Sequence, residues 1–287
     1  MSKAETLIED MQGALPTLSP KLRQICQHAL DEPVGFIRSS SRQLCDALGT
    51  SEPTLIRFCQ TFGHSGLAQF RIDLALAIAL GGASVEPSRE DRRNLNTAEK
   101  QAIARAVLPA LDGAQSLILD NGSTVEALAE ALQALAPRTV MTTGIDVAQI
   151  LLRQGVHDVL LPGGRLRAET ASVSGRIAER TLAEMHFDLC ILGADSIDPA
   201  FGISTFSEGE AELNRRMVEA SARLIVLADG DKFGHPSLHR IARPDQIHLL
   251  VTNLPEDHPA LAALRAGGMT VLTTAQDAPD DETACQT

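Results

Sequence analysis

The stretch Asp120-Asn121-Gly122-Ser123-Thr124 places a carboxylate, a carboxamide, a glycine and two hydroxyls between an apolar run and a helix-like repeat. Backbone N–H groups at a helix start, joined by hydroxyls, suit a phosphate, because the donors point outward and the helix dipole favours negative charge. Asp120 can contact such a ligand or simply cap the next helix. The loop could therefore hold a phosphorylated small molecule, either in an active site or in a pocket that only senses it. Gly163-Gly164 reads as a turn, Asp195 and Asp198 fall in a polar turn, and Lys232 follows another strand-like run. Glu208 and Glu210 fit the acidic first turn of a helix. The eight histidines are scattered, and no Cys/His cluster has metal-ligand spacing, so neither a metal nor a cofactor is expected.

A second group of residues lies in SSSRQLCDALGTSEPTLIRFCQTFG, 39–63. Ser39 to Ser41 offer N-caps for a short helix with Leu44 and Leu48 on one face. Gly49-Thr50 makes a turn, and Ser51 can cap a second helix with Glu52 and Pro53 in its first turn. Leu55, Phe58, Cys59 and Phe62 share one face of that helix, whereas Thr54, Arg57 and Gln60 point the other way, and Gly63 is a C-cap candidate. Two short helices of this kind fit a helix-turn-helix. Ser40, Arg42, Ser51, Pro53, Thr54, Arg57 and Gln60 would then face phosphates and base edges. An ordinary helical hairpin with a solvated polar face fits the same spacing.

The elements that must carry these residues fall into two parts. Up to about Leu80 the apolar positions recur at helical spacing, and a polar stretch, 81–97, follows as a linker. Beyond it, short apolar runs at 116–120, 139–143, 157–161, 188–193, 223–228 and 247–251 alternate with helical stretches at 124–135, 145–154, 172–185 and 208–221. That alternation implies an α/β domain with a mainly parallel sheet over 98–273, and the acidic end, 274–287, reads as disordered. A chain of 287 residues suits two domains. With 44% hydrophobic and 22% charged residues it is of the globular class, and without Trp or Tyr its core must be mostly aliphatic.

Net charge is −12, unevenly spread: residues 1–80 carry 7 Lys/Arg against 8 Asp/Glu, and the remainder carries 18 against 29. This excludes a broad polyanion-binding surface but allows a nucleic-acid reader with few, placed basic groups. The five cysteines are widely spaced and read as reduced thiols. The start has no apolar signal core, and the longest apolar stretch, 74–80, is far short of a membrane span, so a cytoplasmic protein is expected.

Residues 15–33 and 40–75 resemble the N-terminal domain of RpiR-type transcription regulators, in the pattern L-x-x-L-S-P-x-x-R, then S-E-x-T-x-x-R-F, then Phe62, Gly63, Gly66 and Phe70. Pro53 departs from the usual Val or Ala beside the recognition-helix start, which bears on base preference but not on fold. Residues 117–253 resemble the sensor domain of DeoR-type regulators, through LILDNGSTVEALA, VMTTGIDVAQIL, DVLLPGGRLRAETASVSG, FDLCILGADSID, EAELNRRMVEAS, LIVLADGDKFG and IARPDQIHLLVTN, in order. The resemblance implies a Rossmann-like fold related to ribose-5-phosphate isomerase. It also implies effector contacts from Asp120, Gly122, Ser123, Thr124, Thr143, Gly144, Gly163, Gly164, Asp195 and Lys232. Where the isomerase has a carboxylate, a lysine and a general-base glutamate, this chain has Leu192, Ser204-Thr205-Phe206 and Arg215, or Asn214 if the alignment slips by one. Aldose–ketose isomerisation needs a base. The resemblance therefore implies a regulator, a repressor of a sugar-catabolic operon, with operator DNA and a phosphorylated sugar as partners, assembled as a homodimer or homotetramer. A sugar-phosphate isomerase is the alternative.

Overall fold

The computed structural model describes residues 3–80, 89–234 and 236–274. They form two compact units, Met1–Thr97 with Arg167–Ala171, and Ala98–Leu166 with Ser172–Thr287.

The first unit contains α1 (Lys3–Ala14), α2 (Pro20–Asp31), α3 (Pro33–Arg38), α4 (Ser41–Leu48), α5 (Glu52–Thr61), α6 (Leu67–Leu80) and α7 (Arg89–Asn94). Pro20 and Pro33 open their helices, where the missing N–H has no intrahelical partner to lose. Gly49 ends α4 at φ 58, a left-handed position that suits glycine, and the Lys21 ammonium donates to the Leu48 carbonyl at 2.7 Å, placing a cation at the helix C-terminus. Met11, Ile25, Phe36, Leu44, Leu55, Phe58 and Phe70 build the core. Phe36, Phe58 and Phe70 meet edge-on, with centroids 5.1 to 6.4 Å apart, and each pair adds about 0.5–1.5 kcal/mol beyond area burial.

The stretch 81–97, expected as a linker, holds α7. Glu90 and Asp91 at its start and Arg92 and Arg93 at its end complement the helix dipole. Asp91 is also buried against Arg71 of α6. The helix is too short and too polar to announce itself by periodicity. Residues 81–88 lie outside the described residues, as does the expected disordered tail beyond Thr274.

The second unit opens with α8 (Thr97–Val107) and alternates strand and helix: β1 (Ser116–Leu119), α9 (Ser123–Ala131), β2 (Thr139–Thr142), α10 (Ile145–Gln154) and β3 (Asp158–Leu160). A hairpin, β4 (Arg165–Arg167) with β5 (Ser172–Ser174), precedes α11 (Arg176–Ala183) and β6 (Phe187–Leu192). Then come β7 (Ser196–Asp198), β8 (Gly202–Thr205), α12 (Glu208–Glu219), β9 (Ser221–Leu227), β10 (His239–Ala242), β11 (Ile247–Thr252), α13 (Pro259–Ala266) and β12 (Val271–Thr273). The main sheet is parallel throughout, in the order β12-β11-β9-β6-β1-β2-β3. A small antiparallel sheet, β10-β8-β7, lies beside it in sequence.

Both faces of the main sheet are covered, which explains the continuous apolar strands. In β6, Phe187, Cys190 and Leu192 join one core, and Leu189 and Ile191 join the other. One expected helix is corrected here. The stretch 172–185 begins as β5, because Val173 N–H donates to the Thr143 carbonyl at 2.8 Å, and the helix starts only after Gly175, whose φ is 90.

Candidate functional site

From β1 the chain proceeds outward through β2 and β3, and from β6 it proceeds the other way through β9, β11 and β12. The order reverses between the neighbours β1 and β6, and in open α/β sheets ligands bind at the carboxyl ends beside such a reversal. The expected effector residues all follow the carboxyl ends of five adjoining strands. Asp120, Gly122, Ser123 and Thr124 follow β1, and Thr143 and Gly144 follow β2. Gly163 and Gly164 follow β3, Asp195 follows β6 and Lys232 follows β9.

The loops are packed against one another. The Asp120 N–H donates to the Ile191 carbonyl at 3.1 Å, and Asp120 is buried. A Cβ on Gly193 would lie 3.7 Å from Asp120 Oδ2, and one on Gly144 would sit only 2.9 Å from Asn121 Cα. Gly144 N–H donates to Thr142 Oγ1 at 3.0 Å, and Thr142 Oγ1 reaches the Asp120 carbonyl at 3.4 Å. Gly164, at φ 124, lies where a Cβ would be 2.6 Å from the Ser174 carbonyl, so the hairpin closes only around glycine.

Gly122 is the N-cap of α9 and, as a glycine, brings no side chain of its own to cap that end. The first-turn amides of Ser123, Thr124 and Val125 form a donor set of the kind that receives an anion. Asp195 accepts a hydrogen bond from Thr205 Oγ1 at 2.8 Å, which fixes its carboxylate. Asp198, by contrast, accepts from the Ala200 and Phe201 N–H groups at 2.9 and 2.7 Å, a turn role. Glu208 and Glu210 do form the first turn of α12, where Ser207 Oγ accepts from Glu210 N–H. Lys232 is half-buried at the end of a short turn whose Asp229 is 2% exposed and accepts from Asp231 N–H at 3.2 Å.

Two buried groups at this edge escaped the sequence reading, Asp229 and Lys100. Lys100 is 5% exposed on α8. Burial pushes its ammonium down to about 8, opposed first by the Asp229 charge, with Lys232 lowering it and Asp231 and Glu126 raising it. A signal existed in the sequence. Lys100, Ile103, Ala104 and Val107 follow one helical stripe, so a charge stands where an apolar residue belongs.

In the first unit Ser40 caps α4 through a capping box: its Oγ accepts from Gln43 N–H at 3.2 Å, and its N–H donates to Gln43 Oε1 at 2.8 Å. Ser51 stands at the N-cap of α5, but its side chain caps no backbone group; its hydroxyl bonds Thr54 Oγ1 at 2.9 Å instead. Leu55, Phe58 and Cys59 are buried as expected, and Phe62 is half-buried. Arg42, Pro53, Arg57 and Gln60 are exposed, while Thr54 is half-buried. Ile56, also exposed on α5, was not expected, since hydrophobicity alone would place it inside. Burial pushes the Cys26 and Cys59 thiols up to about 11 and about 12, so both are packing groups and not nucleophiles.

The fold is that of a two-unit protein, a helix-turn-helix unit and an α/β unit whose loops gather at the carboxyl edge of a parallel sheet. Residues 5–81 match the model of the helix-turn-helix domain of the rpiR family, and residues 95–254 match the DeoR C-terminal sensor domain. The chain belongs to the DeoR family of transcriptional regulators. A protein of Escherichia coli O157:H7 named as an aga operon transcriptional repressor is 39% identical over 191 residues, 66% of this chain and 70% of that one. The glycerol-3-phosphate regulon repressor of Escherichia coli K12 is 28% identical over 62% of this chain and 70% of its own. The repressor GlcR of Bacillus subtilis is 27% identical over 85% and 93%. A solved ribose 5-phosphate isomerase A from Methanocaldococcus jannaschii overlaps at 14% identity, covering 48% of this chain and 55% of that one, with a TM-score of 0.37. No helix among the described residues is long and apolar enough to cross a membrane.

Proposed function

We propose that the second unit binds a phosphorylated sugar at the carboxyl edge of its sheet, and that binding changes the hold of the helix-turn-helix on operator DNA. The observation that carries this reading is that the expected effector residues all follow the carboxyl ends of five adjoining strands, with the glycine-capped start of α9 directly after β1. The amides and hydroxyls of Gly122, Ser123 and Thr124 take the phosphate, with Lys232 supplying a cation. Asp120 and Asp195 accept from sugar hydroxyls, Thr143 and Gly144 line the floor, and Gly163-Gly164 close the side. On DNA, Arg57 and Gln60 of α5 reach base edges or phosphates with Thr54 and Pro53, while Ser40, Arg42 and Ser51 contact backbone phosphates.

The residues standing at the isomerase's catalytic positions support sensing over turnover. Leu192 is apolar and fully buried, and Thr205 is engaged with Asp195. The Arg215 guanidinium pairs with Glu212 at 3.0 Å, and arginine cannot serve as a base. The regulated genes are a sugar-catabolic operon and the sense is repression, in the cytoplasm. A homodimer or homotetramer reading a pseudo-palindrome accounts for DNA recognition by one recognition helix per chain, with half-sites roughly 34 Å apart or a multiple of it.

The test is a thermal-shift screen of pentose and hexose phosphates, followed by footprinting upstream of sugar-catabolic genes. A compound at 100 times its Kd stabilises the native state by about 2.7 kcal/mol. A flat response across the panel, or no protected DNA, refutes the proposal.

A further inference from the structure

Among the described residues of the first unit, two large apolar side chains are exposed, Val34 on α3 and Ile56 on α5. A single exposed apolar residue is ordinary on a protein surface. Val34 fits that description, at the first turn of a six-residue helix outside the helix-turn-helix. Ile56 stands in different company. The rotation of α5 about its own axis is fixed by its inner face. Leu55, Phe58 and Cys59 are fully buried, and the Phe58 ring meets those of Phe36, Phe62 and Phe70 at centroid distances of 6.4, 5.2 and 5.1 Å. The outer face then carries Pro53, Ile56, Arg57 and Gln60, all exposed. Their spacing makes them one contiguous stripe, because residues three and four apart are neighbours on a helix.

Half of that stripe cannot form hydrogen bonds. The side chains of Pro53 and Ile56, one turn apart, bring neither donor nor acceptor. The hydroxyls of this helix and its cap are engaged locally, Ser51 Oγ with Thr54 Oγ1 at 2.9 Å and Thr61 Oγ1 with the Arg57 carbonyl at 3.0 Å. In the major groove a side chain of this kind gains only by covering apolar surface. The four bases offer one apolar group there, the 5-methyl of thymine. Set against a G·C pair, the same side chain would screen the cytosine amino group from water without replacing its hydrogen bond, which is costly. Isoleucine suits the methyl contact, because its β-branched side chain is nearly confined to one rotamer in a helix and loses little freedom on docking.

We propose that Ile56 is a specificity-determining residue: it docks against the 5-methyl group of a thymine in the operator and so selects an A·T pair at that position. The proposal rests on the reading of α5 as the helix that enters the major groove. Pro53 extends the same apolar surface by one turn, and Arg57 and Gln60 keep the polar contacts to bases or phosphates.

The test uses the full-length protein and the duplexes that the wild type recovers from a random-sequence pool at fixed salt. The recovered duplexes should share a thymine at a fixed position. Replacing thymines by deoxyuridine one at a time deletes a single methyl and leaves base pairing intact. At the shared thymine the wild type should lose about fourfold in affinity, the worth of one buried methyl group, whereas Ile56→Ala should lose nothing there. On the unmodified duplex Ile56→Ala should bind about fourfold or more weakly than the wild type. Its slope of log affinity against log salt should not change, because no phosphate contact is removed. Val34→Ala should match the wild type throughout. Alanine is the better helix former at both positions, and the melting curve of each variant checks the fold. If deoxyuridine weakens Ile56→Ala as much as the wild type at every thymine, or weakens neither protein, the assignment is overturned. Recovery of no duplex at all overturns the operator reading and this proposal with it; bound DNA that ignores the methyl overturns this proposal alone.

Discussion

Gly144→Ala isolates the packing of the proposed ligand edge from its chemistry. Gly144 has φ −87 and ψ 122, which alanine adopts without strain, so the backbone offers no objection. The objection is steric. The new Cβ would lie 2.9 Å from Asn121 Cα, 3.0 Å from Asn121 Cβ and 3.3 Å from Val147 Cγ2. Two of those atoms belong to the proposed phosphate loop, and backbone there must retreat by about half an ångström to reach ordinary contact. Overpacking of that kind costs about 1–3 kcal/mol. For a unit of this size each kcal/mol shifts the melting point by about 2–4 °C, so a fall of about 2–12 °C is expected. The displaced loop should also lose its sugar phosphate, read by calorimetric titration, while DNA binding without sugar persists. Gly209→Ala is the control. A Cβ at this exposed position of α12 meets nothing within 4 Å, and alanine is the better helix former by roughly 0.5–1 kcal/mol. If Gly144→Ala melts with the wild type and binds the sugar as tightly, the close approach of β2 to the phosphate loop does not shape the site.

The other expectations are simpler. Arg57→Ala should weaken DNA binding and lower the slope of log affinity against log salt by about 1 if the contact is to phosphate, with sugar binding intact; equal loss of both activities contradicts its role. Ser123→Asp should abolish the sugar response by setting a carboxylate against the phosphate, and a persistent response would remove the phosphate from this loop. Raised thiol pKa values mean that Cys26 and Cys59 stay protonated in the folded protein above pH 9 while the unfolded chain ionises. Their contribution is full below about 9 and is lost as pH rises toward 11 and 12, so Cys26→Ala, Cys59→Ala should flatten the decline of stability measured by denaturant titration between pH 9 and 11.

Much of the fold could be read because double-sided burial writes strands as unbroken apolar runs. Each of the six anticipated runs became a strand of the main sheet. The small antiparallel sheet was invisible for the opposite reason. In β8 the fully buried Ser204 and the buried Thr205 look like loop residues, and only the fold reveals that Ser204 Oγ accepts from Ser237 N–H at 2.8 Å. The loop proposed to hold the phosphate stands out in the sequence as a local pattern of turn and hydroxyl residues. Its packing does not: nothing near Asn121 in sequence says that Gly144 must be small. Asp229 and Lys100 were missed because each matters through residues distant in the chain. In α7 the polar composition that suggested a linker is the composition of a short helix whose one buried side, Asp91, is satisfied by an arginine twenty positions earlier.

A phosphorylated sugar at the carboxyl edge of the sheet is proposed to control the hold of the helix-turn-helix on DNA. Fluorescence anisotropy of labelled operator, titrated with protein at fixed salt with and without the sugar phosphate that most stabilises the chain, measures it directly. A coupling of 1–3 kcal/mol predicts that the DNA Kd moves by about 5–150-fold, and that Ser123→Asp removes the shift. Identical DNA affinity at saturating sugar, or a shift that survives Ser123→Asp unchanged, would show that sugar at this edge does not control DNA binding.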